Sequence, residues 1–237
     1  MSKTREHLAN KLLDFILPKF CVHCNKFGYY LCQNCYNKIE FISQQLCPIC
    51  YRPAIDGLTH PGCLTILAID GIISATKYCN ITRSLIKKLK YHPSSRQVFE
   101  EIDLIIKRYF IDTDLTFPTN STLVPIPLHT QKLKKRGFNQ AELIANSLSN
   151  LWELPVIPDL FTRTRQGIDQ TSLPRKQRLK NVRSLYRINP RKKSLVNDNN
   201  FILVDDVTTT GATLKKCANL LKRNHAAKVW GITLARD

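Results

Sequence analysis

The stretch FILVDDVTTTGAT, Phe201 to Thr213, runs four apolar residues into two adjacent carboxylates, and those into a hydroxyl-rich turn closed by glycine. An apolar run of this kind reads as a strand buried on both faces. It places Asp205 and Asp206 at the carboxyl edge of a sheet, where the chain turns into a helix beginning near Ala212. Thr208, Thr209, Thr210, Gly211, Ala212 and Thr213 then surround the helix N-terminus. Unpaired backbone N–H groups, hydroxyl donors and the positive dipole end suit that position to a phosphate, and Gly211 lets the backbone come close. Two carboxylates aimed at an anion would repel it, so the acidic pair must serve another part of the same ligand: vicinal sugar hydroxyls, or a magnesium ion. A ribose 5-phosphate meets all of these demands together.

Outward from this stretch, the chain alternates apolar strands with helical periods from Asp70 onward. DGIISATKY, STLVPIP and KVWGITLA read as strands; ITRSLIKKLKY, VFEEIDLIIKRYF, FNQAELIANSLSNLW and ATLKKCANLLKRNHA read as helices. The pattern predicts an α/β fold, a parallel sheet covered on both faces with right-handed crossovers. Its ligands bind beyond the carboxyl ends of the strands. Residues 162–193 are polar and rich in Arg and Lys, and read as a long mobile basic loop or hairpin. Neither GxGxxG nor GxxxxGK[ST] occurs, which counts against dinucleotide and P-loop sites.

The chain has 237 residues, with 36 Lys+Arg against 18 Asp+Glu, a net charge of +18. Such an excess implies a polyanionic partner: nucleic acid, a phosphorylated small molecule or an anionic membrane surface. Lys132, Lys134, Lys135 and Arg136 follow the STLVPIP strand directly, at the sheet edge that carries the acidic pair, where they suit a pyrophosphate or a nucleic-acid backbone. The leader REHLANKLLDFILPKF has helical apolar spacing interrupted by Asn10, Lys11 and Asp14. It reads as an amphipathic helix packed on its own protein, neither signal peptide nor membrane span.

Nine cysteines in a chain without an export signal are expected in a reducing cytoplasm, where regular spacing indicates metal rather than disulfides. Seven of them crowd between Cys21 and Cys63. CVHC with CQNC supplies Cys21, Cys24, Cys32 and Cys35; CPIC with HPGC supplies Cys47, Cys50, His60 and Cys63. Each C-x2-C turn points two thiolates at one ion, and two such knuckles complete a tetrahedral zinc shell. Two structural zinc ions in sequential pairing are the first reading, with crossed pairing or a single filled site as the alternatives. His23 is a bystander inside the first knuckle. Cys79 and Cys217 read as small buried hydrophobes. The cysteine boundary divides the chain into a leader and double zinc ribbon, 1–66, and a second domain, 67–237.

The run from Phe201 to Thr213 resembles the signature of the type I phosphoribosyltransferase family. The resemblance implies that the acidic pair holds the ribose hydroxyls of phosphoribosyl pyrophosphate, with magnesium, and that the Thr/Gly turn holds its 5-phosphate. The whole chain is similar to the ComF competence proteins, a family that also contains the GntX-type proteins. The double ribbon, KLKKRGFNQAE, DQTSLPRKQRLKNVRSLY and the signature carry that likeness. It implies a Rossmann-like, type I phosphoribosyltransferase-like domain behind the ribbons and a role in natural transformation, handling imported single-stranded DNA at the inner face of the cytoplasmic membrane. By the same resemblance Arg136, Gly137, Phe138, Asn139 and Gln140 fall on the family's RGFNQ motif. Gln170, Leu173, Arg178 and Asn181 fall on its Q-x2-L-x4-R-x2-N loop motif. His60 departs from the cysteine commoner at its place. Arg175, Lys176, Arg178, Lys180, Arg183 and Arg187 suit either closure over a pyrophosphate or tracking of single-stranded DNA. Phe138, Tyr186, Tyr29 and Tyr30 are its candidate stacking faces. Three roles are compatible with these residues: a DNA-handling competence factor with a ligand-binding phosphoribosyl site, an active magnesium-dependent transferase, and a ribbon module docking other transformation or recombination proteins. No residue marks an acceptor base, which favours the first.

Overall fold

The computed structural model describes residues 18–91, 95–113, 118, 120–163 and 185–237. The amphipathic leader and the loop candidates Gln170, Leu173, Arg175, Lys176, Arg178, Lys180, Asn181 and Arg183 lie outside the described residues.

Four parallel strands form the central sheet in the order β1-β6-β5-β2: β1 is Gly71–Lys77, β2 Ser121–Pro125, β5 Asn200–Thr208 and β6 Val229–Arg236. Their runs are apolar on both faces because both faces are covered. On one face Ile73, Ile202, Val204 and Ile232 pack against helices α2 (Asn80–Tyr91), α3 (Ser95–Asp112) and α5 (Gln140–Trp152) through Leu85, Ile102, Ile144 and Leu148. On the other, Ile72, Phe201 and Leu203 pack against helix α6 (Ala212–Lys222) through Leu214, Cys217 and Leu221. The sheet is therefore the middle of three layers, as the alternation of strand and helix predicts.

The structure adds elements that periodicity does not show. A basic helix, α4, spans Thr130–Arg136, between His129, whose Nδ1 accepts from the Gln131 N–H at 3.3 Å, and Gly137 in the left-handed region at φ 80°. Strands β3 (Phe161–Arg163) and β4 (Tyr186–Ile188) pair antiparallel, followed by a 3-10 turn over Pro190–Leu195. The stem of the basic segment is thus a hairpin.

The cysteine-rich head holds helix α1 (Gln33–Tyr36) and lies along the free edge of β1. The Ile42 N–H donates to the Ala75 carbonyl and the Lys77 N–H to the Glu40 carbonyl, both at 2.9 Å. Gln45 completes the seam: its Nε2 donates to the Ser74 carbonyl at 2.9 Å and to the Tyr109 hydroxyl at 2.6 Å, and its Oε1 accepts from the Ser74 N–H at 3.1 Å. Gly57, at φ 76°, fits so closely that a Cβ there would stand 2.1 Å from the Ile72 carbonyl oxygen. Where the head joins β1, buried Asp70 accepts from the Val229 N–H at 2.7 Å and pairs with Lys222 at 2.7 Å.

Candidate phosphoribosyl site and zinc centres

Strand β5 does not stop at the acidic pair. It continues to Thr208, with Asp205 opposite Thr233, Val207 opposite Ala235 and Thr208 opposite Arg236 on β6. Strand pleat sends Asp205 and Asp206 to opposite faces of the sheet end. Asp206 meets the last turn of α2, where Lys90 Nζ stands 2.5 Å from its Oδ2; the two side chains are only 20% and 17% exposed. Asp205 Oδ1 accepts from the Asp206 N–H at 2.9 Å. Dense surroundings first, and the Asp206 charge second, push the pKa of Asp205 up to about 8. The acidic pair and Lys90 form a compact cluster that stays open to solvent on part of its surface.

Beyond Thr208 the chain turns through Thr209 and Thr210, both exposed, to Gly211 at φ 68°, where α6 starts. No side chain caps this helix. Its first N–H groups and its dipole are what an anion would meet. The left-handed backbone at Gly211 favours glycine, and a Cβ there would stand 2.9 Å from Cδ1 at the movable end of the Ile72 side chain. Tyr186, buried on the α6 face, makes a side-chain hydrogen bond with Thr213, and burial pushes its phenol pKa up.

Helix α4 delivers the basic residues unequally. Lys132, Lys134 and Lys135 are exposed, whereas Arg136 is half-buried, its guanidinium 5.5 Å from the centre of the Tyr91 ring and donating to Gln140 Oε1 at 3.1 Å. Phe138 packs on the core, and Asn139 is buried, accepting from the Ala141 N–H at 3.2 Å to cap α5 and donating to the Ile126 carbonyl at 3.0 Å. Gln140 is 1% exposed, and its Nε2 is the one buried side-chain nitrogen or oxygen without a partner among the described residues. Asn139 and Gln140 support the turn from inside, while Phe138 packs on the core and stays half-exposed. Tyr30 and Tyr186 are likewise buried, which removes them as stacking platforms; Tyr29 remains exposed.

The two ligand groups of the head assemble in sequential pairing. Cys21, Cys24, Cys32 and Cys35 bring their sulfurs within 4.8 Å of one another, and so do the ligand atoms of Cys47, Cys50, His60 and Cys63. Zn–S bonds of ~2.3 Å give tetrahedral edges of about 3.8 Å, and the observed Cys24–Cys32 separation of 3.5 Å and Cys50–His60 Nδ1 separation of 3.3 Å fit that scale. His60 presents Nδ1 to the cluster while Nε2 meets the Pro53 carbonyl at 3.0 Å, an outer contact that fixes the ring's orientation. Burial opposes ionisation of Cys21, but backbone amides of Cys24 and Cys32 outweigh it and bring that thiol down to about 6. An Arg52 side-chain hydrogen bond brings Cys50 down to about 6. In the same two shells burial, and then the neighbouring thiols, push Cys35 up to about 12 and Cys63 up to about 11, so without an ion only part of each ligand set ionises readily. With four protein ligands each, both centres are closed, as structural zinc requires. Cys217 is buried as expected, whereas Cys79 is half-exposed and donates to Glu40 Oε1 at 3.1 Å.

Comparison with known proteins matches a double zinc ribbon domain over residues 12–64 and a phosphoribosyl transferase domain over residues 133–237. The DNA utilization protein YhgH of Escherichia coli is 28% identical over 229 residues, covering 90% of this chain and 95% of that one. The chain carries a double zinc ribbon ahead of a phosphoribosyl transferase domain and is similar along most of its length to proteins named for DNA utilization and competence. Competence protein ComFC of Bacillus subtilis is 26% identical over 87% of this chain and 84% of its own. Competence protein F of Haemophilus influenzae is 31% identical over 48% of this chain and 50% of its own. It is an α/β protein with a zinc-ribbon head, and among the described residues no helix is long and apolar enough to cross a membrane.

Four residues at this end of the sheet escape the sequence reading: Lys90, Tyr51, Lys215 and Arg236. Lys90 sits in a run, IKKLKY, whose three lysines look alike; only the crossing of α2 over the sheet end singles one out. Tyr51 belongs to the ribbon and Lys215 to α6, and both reach the threonine turn. Arg236 lines a narrow cleft with Leu46, Pro48, Tyr51, Ile72 and residues 208–211.

Proposed function

We propose that the protein binds phosphoribosyl pyrophosphate with magnesium in the cleft above β5 and serves, in the cytoplasm, as a DNA-handling factor of competence, like the relatives whose names record that role. The observation that carries the reading is the pairing of a carboxylate couple, Asp205 and Asp206, with an uncapped helix N-terminus only a short turn away. Carboxylates accept the ribose hydroxyls; the amides and hydroxyls of Thr208, Thr209, Thr210, Gly211, Ala212 and Thr213 receive the 5-phosphate; Lys132, Lys135 and Arg136 face the pyrophosphate. Magnesium, when bound, neutralises pyrophosphate charge. Lys90 holds Asp206 until the ligand's hydroxyls compete for it. The ribbons, residues 1–66, form the head of a phosphoribosyl-binding domain, 67–237. Titration calorimetry tests the reading: the unsubstituted chain should bind phosphoribosyl pyrophosphate more tightly with magnesium than without, and changing both Asp205 and Asp206 to Asn should abolish the magnesium-dependent part. Unchanged binding would dispose of the site. Release of pyrophosphate on addition of an amine or base would place the protein among active transferases.

A further inference from the structure

The head does more than cover the edge of β1. Its second zinc knuckle, Cys47 to Cys50, is followed by Tyr51, whose hydroxyl donates to the Thr210 carbonyl at 3.1 Å. Lys215, one turn into α6, donates from Nζ to the Pro48 carbonyl and to the Tyr51 hydroxyl, each at 3.0 Å, and lies 5.1 Å from the centre of the Tyr51 ring. One link thus joins the knuckle to the threonine turn at Thr210, and two join it to Lys215 in the first turn of α6.

Tyr51 adopts φ 59°, in the left-handed region. That conformation is uncommon for a bulky side chain, and it marks positions where a residue is kept for something other than local comfort. The sister knuckle shows the comfortable solution: the residue after Cys24 is Asn25, at φ 57°, and asparagine is among the residues that tolerate this region best. Two knuckles of the same backbone shape therefore differ at the same step, and the costlier residue stands in the knuckle that touches the phosphate turn.

The contact has a directional consequence. A trans peptide is planar, with C=O and N–H pointing opposite ways. The carbonyl of Thr210 and the N–H of Gly211 belong to one such plane. Holding the carbonyl toward the head fixes the N–H away from it. We propose that Tyr51 positions the Thr210–Gly211 peptide so that the Gly211 amide is preset for a phosphate ester, and that zinc at Cys47, Cys50, His60 and Cys63 and phosphate at the turn consequently strengthen one another's binding. The proposal rests on the turn being a phosphate site. Tyr51 and Lys215 are positioning residues, acting through the turn and touching no ligand themselves.

The test uses the full chain with zinc bound and ribose 5-phosphate as the probe, comparing the unsubstituted protein with Tyr51→Phe, which removes only the hydroxyl, and Tyr51→Asn, which copies the sister knuckle. Both variants should keep two zinc ions per chain. Each should bind ribose 5-phosphate roughly three- to tenfold more weakly, the scale of one lost hydrogen bond, and should exchange the Gly211 amide hydrogen faster in the absence of any ligand. Reciprocity requires that saturating ribose 5-phosphate raise the affinity of one zinc, and not the other, by the same factor in competition with a chelator. Equal binding by all three proteins, with unchanged exchange at the turn, overturns the coupling and leaves the phosphate site standing. Failure of the unsubstituted chain to bind ribose 5-phosphate overturns the phosphate site itself, and the coupling with it.

Discussion

Asp205 shows what a single residue's surroundings do to its chemistry. A carboxylic acid whose pKa is raised to about 8 keeps its proton in the folded chain through a range where the unfolded chain has released it. The folded state then binds more protons between the ordinary carboxylate range and about pH 8, so this residue's contribution to stability is present at low pH and is lost as pH rises through that window. Urea unfolding at pH 5 and pH 8 should show Asp205→Asn gaining stability relative to the unsubstituted chain at the higher pH; a gap independent of pH would contradict the shift. Ligand binding should run the other way. Hydroxyl donors want the ionised acid, so affinity for ribose 5-phosphate should rise toward pH 8 by up to about tenfold per pH unit, and calorimetry in buffers of different ionisation heat should detect proton release. The positions of the acidic pair at the end of β5 and of Gly211 at the start of α6 were legible in the sequence, because an apolar strand run followed by a glycine-closed turn fixes where the helix begins. Lys90 was not: nothing local distinguishes it from Lys87 and Lys88, and its role is set by the path of α2.

Secondary structure was legible wherever burial imposes a period. FILV, GIISATK and VWGITLA became strands and the long amphipathic segments became helices because two packed faces demand it. Two features escaped for opposite reasons. Helix α4 has no apolar stripe; it forms between its His129 cap and Gly137 and carries charge on a short span. Strand β5 outruns its apolar stretch because β6 supplies backbone partners as far as Thr208, and ladder pairing overrides the preference of carboxylates for a loop. Glycines at element joints sharpen the contrast between strain and crowding. Gly28, at φ 92°, has open space where a Cβ would go, so Gly28→Ala should cost about 1 kcal/mol of backbone strain. Gly57→Ala adds a collision with the Ile72 carbonyl and should cost at least twice as much, with loss of head docking visible as faster amide exchange at Ile42 and Lys77. Equal costs in chemical unfolding would show that the head docks loosely.

At the scale of the whole molecule the +18 charge is the plainest sequence signal, yet its partner is decided by where the cations stand. Exposed Lys132, Lys134 and Lys135 lie on one short helix, while Arg136 is drawn inward by Tyr91 and Gln140. Binding of single-stranded DNA should fall steeply with salt, and Ala at Lys134 and Lys135 should reduce the salt exponent by about 0.7 for each phosphate that is no longer neutralised. A slope unaltered by these changes would move any DNA contact elsewhere on the surface. The domain organisation read from cysteine density is a division of composition; the ribbon and the sheet share backbone hydrogen bonds, a buried glutamine and the clasp on the turn, none of which has a sequence signature.

The seam between residues 40–45 and β1 carries a final implication for anyone who trims the chain. Severing the head would uncover a row of unsatisfied amides and carbonyls along Gly71–Lys77, flanked by apolar side chains, and a bare strand margin of that sort recruits whatever other strand it meets. In this molecule the cysteine-rich head covers that margin, so a chain cut back to residues 67–237 should self-associate in sedimentation at concentrations where the full chain does not.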